Sequence, residues 1–429
     1  MRRPRVIRHT VAGSVVAAYS LAAAVVVVAH RALPMPWWLA LHLLVLGAAT
    51  NAVFVWSRFF AEALLHARPA AGRAAALRLL ALNAGVLAVL GGVAGRADPV
   101  AVAGAGVVVA SVLAHAAGLL RMRRSAPLAG PLRILIWYYV AAAAALTAGG
   151  VLGGVLAAGW VRSGRFDAGL VLAHAQLNLL GWLGLAIIGT QFMLWPMVLR
   201  TRMADGAARI ARRVLTLAGG GLAIAAIALL TGQFVPGSRW LAATGMAGYL
   251  AGAGLALGPA VSLLRAKRPR TTAAWAFLAG NAWLIVALAA DTVSLAAGPA
   301  IADRVLSRLL LPALVIGVIA QTLIGALTFL LPVTIGGGPA GNRRLANLLE
   351  RGWPVRLSLG NAGVITLIAF AGSAPATVAG WAAVLAGFGT FPLFAGVALV
   401  IGRTARRTAP AAAEAPGATS GDPPGPGPG

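Results

Sequence analysis

The chain contains twelve continuous apolar stretches, and they constrain its fold more than any other feature. A helix rises ~1.5 Å per residue and the hydrocarbon core of a bilayer is ~30 Å thick, so ~20 apolar residues suffice to cross it. Transmembrane strands alternate in hydrophobicity, whereas these stretches are continuous. The sequence therefore predicts an all-α polytopic membrane bundle within residues 1–402. Its predicted transmembrane helices lie at residues 10–30, 36–57, 76–95, 99–120, 133–160, 168–199, 210–232, 239–264, 272–296, 308–334, 355–375 and 378–401.

The composition excludes a soluble enzyme. Hydrophobic residues make up 60% of the chain and charged residues only 10%. A soluble domain carries about 25% charged residues, which it needs for its water-facing surface. The chain also has 0 cysteines, which excludes disulfides, thiolate metal sites, iron–sulfur clusters and a cysteine nucleophile.

The formal net charge of +26 is explained by membrane topology. With the amino terminus placed in the cytoplasm, 28 of the 35 lysines and arginines fall on the cytoplasmic side. This positive-inside pattern predicts cytoplasmic amino and carboxyl termini in the plasma membrane, the inner membrane of the cell. Excess positive charge at that face favours anionic lipids as partners, not nucleic acid. Residues 403–429 are rich in Ala, Pro and Gly and are predicted to form a disordered cytoplasmic tail.

Two of the 6 histidines are candidate cofactor ligands. His42 and His174 each lie one to two helical turns inside a predicted span, at similar depth from the outer side. Such a pair is able to ligate haem iron or copper. The alternative is that each imidazole bonds a backbone carbonyl or a buried water. Asn178 lies four residues after His174 and so shares its helix face, where we expect it to orient the imidazole. Gly181, one turn further along, is expected to permit close helix contact.

The other polar residues are expected to be structural or peripheral. His30 ends the first span, His9 and His66 lie on the cytoplasmic side, and His115 is expected at headgroup level. Asp291 is the one acid close to the hydrocarbon and is expected at the outer rim.

The sixth and tenth spans share a weak internal sequence repeat. Ile188-Gly189 precedes Pro196 by the same interval as Ile324-Gly325 precedes Pro332. The separation of four spans predicts a four-helix repeat in which spans two, six and ten are equivalent. The tenth span has Gln321 and Thr322 where this symmetry would invite a third histidine.

The sixth span also carries a family resemblance. His174-Ala-Gln-Leu-Asn-Leu-Leu-Gly-Trp182, followed by Leu-Trp-Pro-Met-Val-Leu-Arg-Thr-Arg202, resembles a family of actinobacterial polytopic membrane proteins often described as copper oxidases. That family is distantly similar to subunit I of the haem–copper oxidases and to NnrS-type proteins. The resemblance implies twelve helices in three arcs of four, with His42 and His174 at the positions that serve haem and copper.

The sequence departs from that family at several positions. Gln176 stands where a second histidine is usual, and the histidines of the seventh and tenth helices and the sixth-helix tyrosine have no counterparts. Two histidines within the spans cannot assemble an oxygen-reducing centre, so oxidase catalysis is not expected.

Three functions are compatible with these features. The first is a non-oxidase or degenerate relative of the oxidase fold that binds haem or copper, or neither, and assists respiratory, copper or nitric-oxide metabolism. The second is a structural or assembly partner of a membrane redox or copper-oxidase component. The third is a small-molecule transporter.

The predicted topology is testable because the chain has no native cysteine. Ser125→Cys, in a predicted cytoplasmic loop, should react with a membrane-impermeant maleimide only after the cells are opened. Ser238→Cys, at a predicted outer loop, should react in intact cells. The reverse labelling pattern would contradict the predicted orientation.

Overall fold

The structure is a computed structural model that describes residues 3–67, 73–126, 130–159, 164–232 and 234–407. It is 88% helical and has no strands among these residues. The all-α expectation is therefore confirmed. Residues 408–429, most of the predicted tail, lie outside the described part, and the last helix remains helical as far as Arg407.

Thirteen helices of seven residues or more follow one another along the described chain, when helical segments that continue directly into each other are joined. Their bounds are α1 Arg3–Val28, α2 Pro36–Leu64, α3 Arg73–Ala94, α4 Asp98–Arg124, α5 Leu135–Ala157, α6 Gly164–Leu199, α7 Ala207–Thr231, α8 Ser238–Ala266, α9 Thr272–Ala297, α10 Pro299–Ile335, α11 Pro339–Leu349, α12 Trp353–Ala369 and α13 Ala374–Arg407.

Ten of these helices are long and apolar enough to cross a membrane, which makes the chain a candidate multi-pass membrane protein. They are α2 to α10 and α13. The other two predicted spans coincide with α1, whose apolar part covers Gly13–Val28, and with α12, which has 17 residues. The coarse architecture of a polytopic helical bundle is thus confirmed, and the count of twelve stays a prediction.

Helices α2, α6 and α10 form the centre of the bundle. In the most apolar part of α6 and of α10, 72% of residues are buried inside the protein, against 28% for α3 and 22% for α5. The three central helices contact one another, and Trp182 Nε1 of α6 donates a 3.0 Å hydrogen bond to Thr50 Oγ1 of α2. The outer helices therefore present their remaining apolar surface to lipid.

The outer helices pack in a recurring order. Contacts join α1 to α2, α2 to α3 and α4, and α3 to α4; the same pattern recurs for α5 to α8 and, in most of its contacts, for α9, α10, α12 and α13. Between these groups, α4 contacts α5, α8 contacts α9, and α13 contacts α1. The order of contacts therefore closes on itself around the three central helices.

Each central helix contains a π-helical segment, in which the backbone hydrogen bonds join residues five positions apart instead of four. These segments are Leu43–Ala49 in α2, Leu177–Gly184 in α6, and Leu306–Leu310 with Pro312–Ala320 in α10. A further one lies in α13 at Leu385–Gly389. π-Helical turns are rare and occur often at functional sites. In α2 and α6 the segment begins within three residues after a candidate histidine.

Small residues set the distance between neighbouring helices. Helices α7 and α8 meet at Gly221 and Gly245, where a Cβ added to either glycine would collide with the backbone carbonyl of the other. Close backbone approach of this kind drives helix association in lipid, where the hydrophobic effect between helices is absent.

A matched pair of substitutions tests this contact. Gly221→Ala should lower the free energy of unfolding of the purified protein by about 1–3 kcal/mol, because the α7 and α8 backbones must separate. A Cβ at the adjacent Gly220 meets no atom within 4 Å, so Gly220→Ala should leave stability unchanged or slightly raised. Equal melting temperatures for the two variants would contradict the proposed role of Gly221.

Candidate cofactor site

His42 is held by the turn of helix that precedes it. Its Nδ1 lies 2.9 Å from the Trp38 carbonyl oxygen, and its ring stacks on the Trp38 indole with the centroids 4.1 Å apart. A carbonyl oxygen only accepts, so this bond assigns the proton to Nδ1. The neutral imidazole then carries its lone pair on Nε2, the atom available to a ligand.

His174 is held by the neighbouring helix α5. Its Nδ1 donates to the Gly149 carbonyl oxygen across 2.8 Å. The ring also fits against Gly153, where an added Cβ would lie 2.8 Å from the imidazole Cε1. The two glycines therefore form a notch in α5 that accepts the ring. As in His42, the bond places the proton on Nδ1 and the lone pair on Nε2.

Asn178 lies beside His174 but bonds mainly to the backbone. Its Nδ2 donates to the His174 carbonyl oxygen across 2.7 Å and lies 3.3 Å from the imidazole Nδ1. Because Nδ1 already donates to Gly149, the Gly149 carbonyl is what fixes the ring. Asn178 fills the space over Gly149, where a Cβ would lie 2.5 Å from its amide nitrogen. Gly181 packs closely against Ala145 of α5, because an added Cβ would collide with the Ala145 side chain. The predicted role of Gly181 in close helix contact is confirmed.

The two candidate imidazoles lie on different helices, His42 on α2 and His174 on α6. Both side chains are half-buried. Among the described residues, no group of three or more histidine, cysteine or acidic side chains is placed to hold a metal ion. Each imidazole bonds a backbone carbonyl, as the alternative to ligation expected. Metal-bound histidines usually have the same kind of bond at the nitrogen that does not hold the metal, so the candidate role in ligation stays a prediction.

One cavity of the described bundle, of about 490 Å³, is an apolar crevice between α1, α2, α10, α12 and α13, and residues on either side of His42, among them Leu41 and Leu44, line it. A second, of about 80 Å³, lies between the central helices, and a third, of about 20 Å³, lies between α6, α8 and α9. Neither His42 nor His174 lines any of these three cavities.

Two expectations for polar residues are wrong. His115, expected at headgroup level, is only 4% exposed; its Nε2 lies 2.9 Å from Ser57 Oγ and its ring stacks on Phe54. Asp291, expected at the outer rim, is 1% exposed and accepts a hydrogen bond from Gln176. Both side chains turn inward because a neighbouring helix offers a polar partner that water or headgroups would otherwise supply.

Amide pairs between helices satisfy several of the other buried polar groups. Asn51 of α2 and Asn83 of α3 exchange two hydrogen bonds of 3.0 and 2.9 Å. Asn281 of α9 donates to Gln191 of α6 across 2.8 Å. These bonds serve packing, and a single sequence gives no signal for such pairs because their members are 32 and 90 positions apart.

A further amide chain joins three helices. Asn361 of α12 donates to Gln321 of α10 across 2.7 Å and accepts from the Trp283 indole of α9 across 2.7 Å. Gln321 therefore serves as a packing residue at the position where the repeat would have invited a ligand.

Comparison with known proteins assigns no family. No protein-family model matches the chain, and no curated protein matches it.

The notch that holds His174 is open to a direct test. Gly153→Ala should push the imidazole away and weaken its bond to Gly149, since the new methyl group would lie 3.2 Å from Nδ1. The ¹⁵N NMR signals of labelled His174 should shift accordingly. Gly154→Ala is the matched control, because its Cβ would meet only Ala105 at 3.7 Å. An unchanged His174 signal in the Gly153 variant would show that the ring does not occupy the notch.

Proposed function

We propose that this chain is a plasma-membrane cofactor-binding protein in which His42 and His174 together hold copper or haem. Its helices follow the three arcs of four that characterise haem–copper oxidase subunit I. It acts in copper, haem or nitric-oxide-linked respiration, beside a membrane redox or copper-oxidase component, without reducing oxygen itself. The observation that carries the proposal is shared by the two imidazoles, which lie on central helices α2 and α6. In each, Nδ1 bonds a backbone carbonyl and Nε2 is left for a ligand.

The recurring helix contacts support the three-arc arrangement. The three groups of four helices share most of their internal contacts, and their second members, α2, α6 and α10, meet at the centre. Each of these three helices also contains a π-helical segment. A chance assembly of apolar helices has no reason to repeat both features at four-helix intervals.

The chemistry of the two histidines supports copper more than haem. Both imidazoles are neutral nitrogen donors with Nδ1 bonded to a carbonyl, which leaves Nε2 for a metal. Imidazole is a suitable ligand for copper. Haem needs a large cavity next to its ligands, whereas the cavities of about 490, 80 and 20 Å³ are lined by other residues. A bound copper ion would supply one-electron redox chemistry or a metal for transfer to a partner.

The ligand set argues against an oxygen-reducing centre. Gln176, which stands in place of the second histidine of the family motif, is engaged by Asp291 of α9. His115, although buried, bonds Ser57 at a different contact, between α2 and α4. His42 and His174 are then the two histidines left as candidate metal ligands, a number that suits the binding or transfer of one ion.

Copper binding by the purified protein tests this proposal. The chain should bind about one Cu(I), and both His42→Ala and His174→Ala should reduce its affinity at least about tenfold, equivalent to ~1.4 kcal/mol. His30→Ala is a control, because this histidine follows the end of α1 and its ring stacks on Trp37, outside the proposed pair. Full Cu(I) binding by both alanine variants would refute the site. A Soret band lost in both would assign haem instead.

A transporter is the second candidate, favoured by one observation. A proton-driven transporter usually carries a buried carboxylate, and Asp291 is buried. Flux of a small molecule through proteoliposomes, abolished in Asp291→Asn and retained in His42→Ala, would favour transport over cofactor binding.

A further inference from the structure

Asp291 and Gln176 form an isolated polar pair between α9 and α6. Gln176 Nε2 donates to Asp291 Oδ2 across 2.9 Å. Asp291 is 1% exposed and Gln176 is 3% exposed. Both lie within helices that are long and apolar enough to span a membrane. An ionisable residue in such a place is costly to retain and indicates a functional role.

Two oxygen atoms of this pair lack hydrogen-bond partners. Asp291 Oδ1 and Gln176 Oε1 are both buried and unbonded. The nearest hydroxyls along α9 donate to the backbone: Thr292 to the Leu288 carbonyl across 2.8 Å and Ser294 to the Asp291 carbonyl across 2.9 Å. An ionised carboxylate and an amide oxygen are both acceptors, so the pair is short of a donor. Buried acceptors without donors cost ~1–3 kcal/mol each, and more when charged.

No positive charge compensates the carboxyl group. Within the described part of the chain, no lysine, arginine or histidine lies within salt-bridge distance of Asp291. Among the described side chains of the helices that pack against α9, the charged ones toward this end are exposed, and they are Arg239 of α8 and Asp303, Arg304 and Arg308 of α10. On α6, the titratable neighbour of Gln176 is His174, which donates to Gly149 of α5.

We propose that Asp291 is a proton-binding site within the membrane bundle, with Gln176 as its positioning residue. The carboxyl group is neutral in the folded protein at neutral pH and carries its proton on Oδ1. Protonation converts Oδ1 from an acceptor into a donor, so the acid and the amide of Gln176 can satisfy each other. Release of the proton to water leaves an anion with one hydrogen bond and no counter-ion.

The site couples protonation to helix packing. In the neutral state the acid–amide pair joins α6 to α9. In the ionised state Oδ1 and Gln176 Oε1 are both acceptors and disfavour close contact. A proton that enters or leaves therefore strengthens or weakens the α6–α9 contact. This proposal is independent of cofactor binding, because neither His42 nor His174 takes part.

Infrared spectroscopy of the full-length protein in lipid vesicles tests the proposal. At neutral pH the protein should show the C=O stretch of a buried carboxylic acid, with a downshift on prolonged exchange into heavy water. The band should be absent in Asp291→Asn, whose amide is able to pair with Gln176 and keep the fold. Asp303→Asn is the matched control, since this exposed acid should leave the band unchanged. Gln176→Leu should retain the band at a higher frequency.

Three outcomes would overturn the proposal. The first is a wild-type protein with no acid band at neutral pH, because the carboxyl group would then be ionised. The second is a band that persists in Asp291→Asn, since it would belong to another acid. The third is stabilisation of the wild type, but not of Asp291→Asn, by sodium or potassium chloride, which would assign a metal cation to the same oxygens. Copper binding measured on the same variants stays a separate readout.

Discussion

A polar group inside a hydrocarbon solvent has only the protein to bond with, and this constraint decides how the helices of this bundle meet. Lipid chains are as apolar as leucine, so the hydrophobic effect does not draw one helix to another. The specific attractions are polar contacts such as Trp182 to Thr50 between α6 and α2, and Asn281 to Gln191 between α9 and α6. Because these bonds involve the central helices, they fix the register in which α2 and α6 present their histidines.

Small residues make these polar contacts possible. The carbonyl of Gly149 reaches His174 because neither Gly149 nor Gly153 carries a side chain that would keep α6 away. Asn178 then occupies the space above Gly149. The same two glycines therefore set both the distance between α5 and α6 and the orientation of the His174 imidazole. A methyl group added to either glycine would change both. The same dependence explains why so much of the glycine in this chain lies within helices, where it lowers intrinsic helix propensity.

The sequence was sufficient for the apolar helical bundle and insufficient for the faces of the helices. Helix length and hydropathy are local properties, so the bundle could be predicted. The buried side of each helix could not be predicted, because lipid and the protein interior are both apolar. The sequence therefore has no alternation of polar and apolar faces with the helical period. His115 and Asp291 were misplaced for this reason: their depth was read from the chain, but their partners, Ser57 and Gln176, lie 58 and 115 positions away. The π-helical segments had no signal in a sequence of Ala, Leu and Gly.

The two proposed sites share α6 and face opposite ways. His174 and Gln176 are two residues apart, or about 200° around the helix, so one side chain meets α5 and the other meets α9. Directly after Gln176 the α-helical hydrogen bonding of α6 gives way to the π-helical segment Leu177–Gly184, a kind of turn that occurs often at functional sites. A change in the α6–α9 contact on protonation of Asp291 would therefore act on the helix that also carries His174. The proposed proton site and the candidate ligand share one helix, without contact between Asp291 and a cofactor.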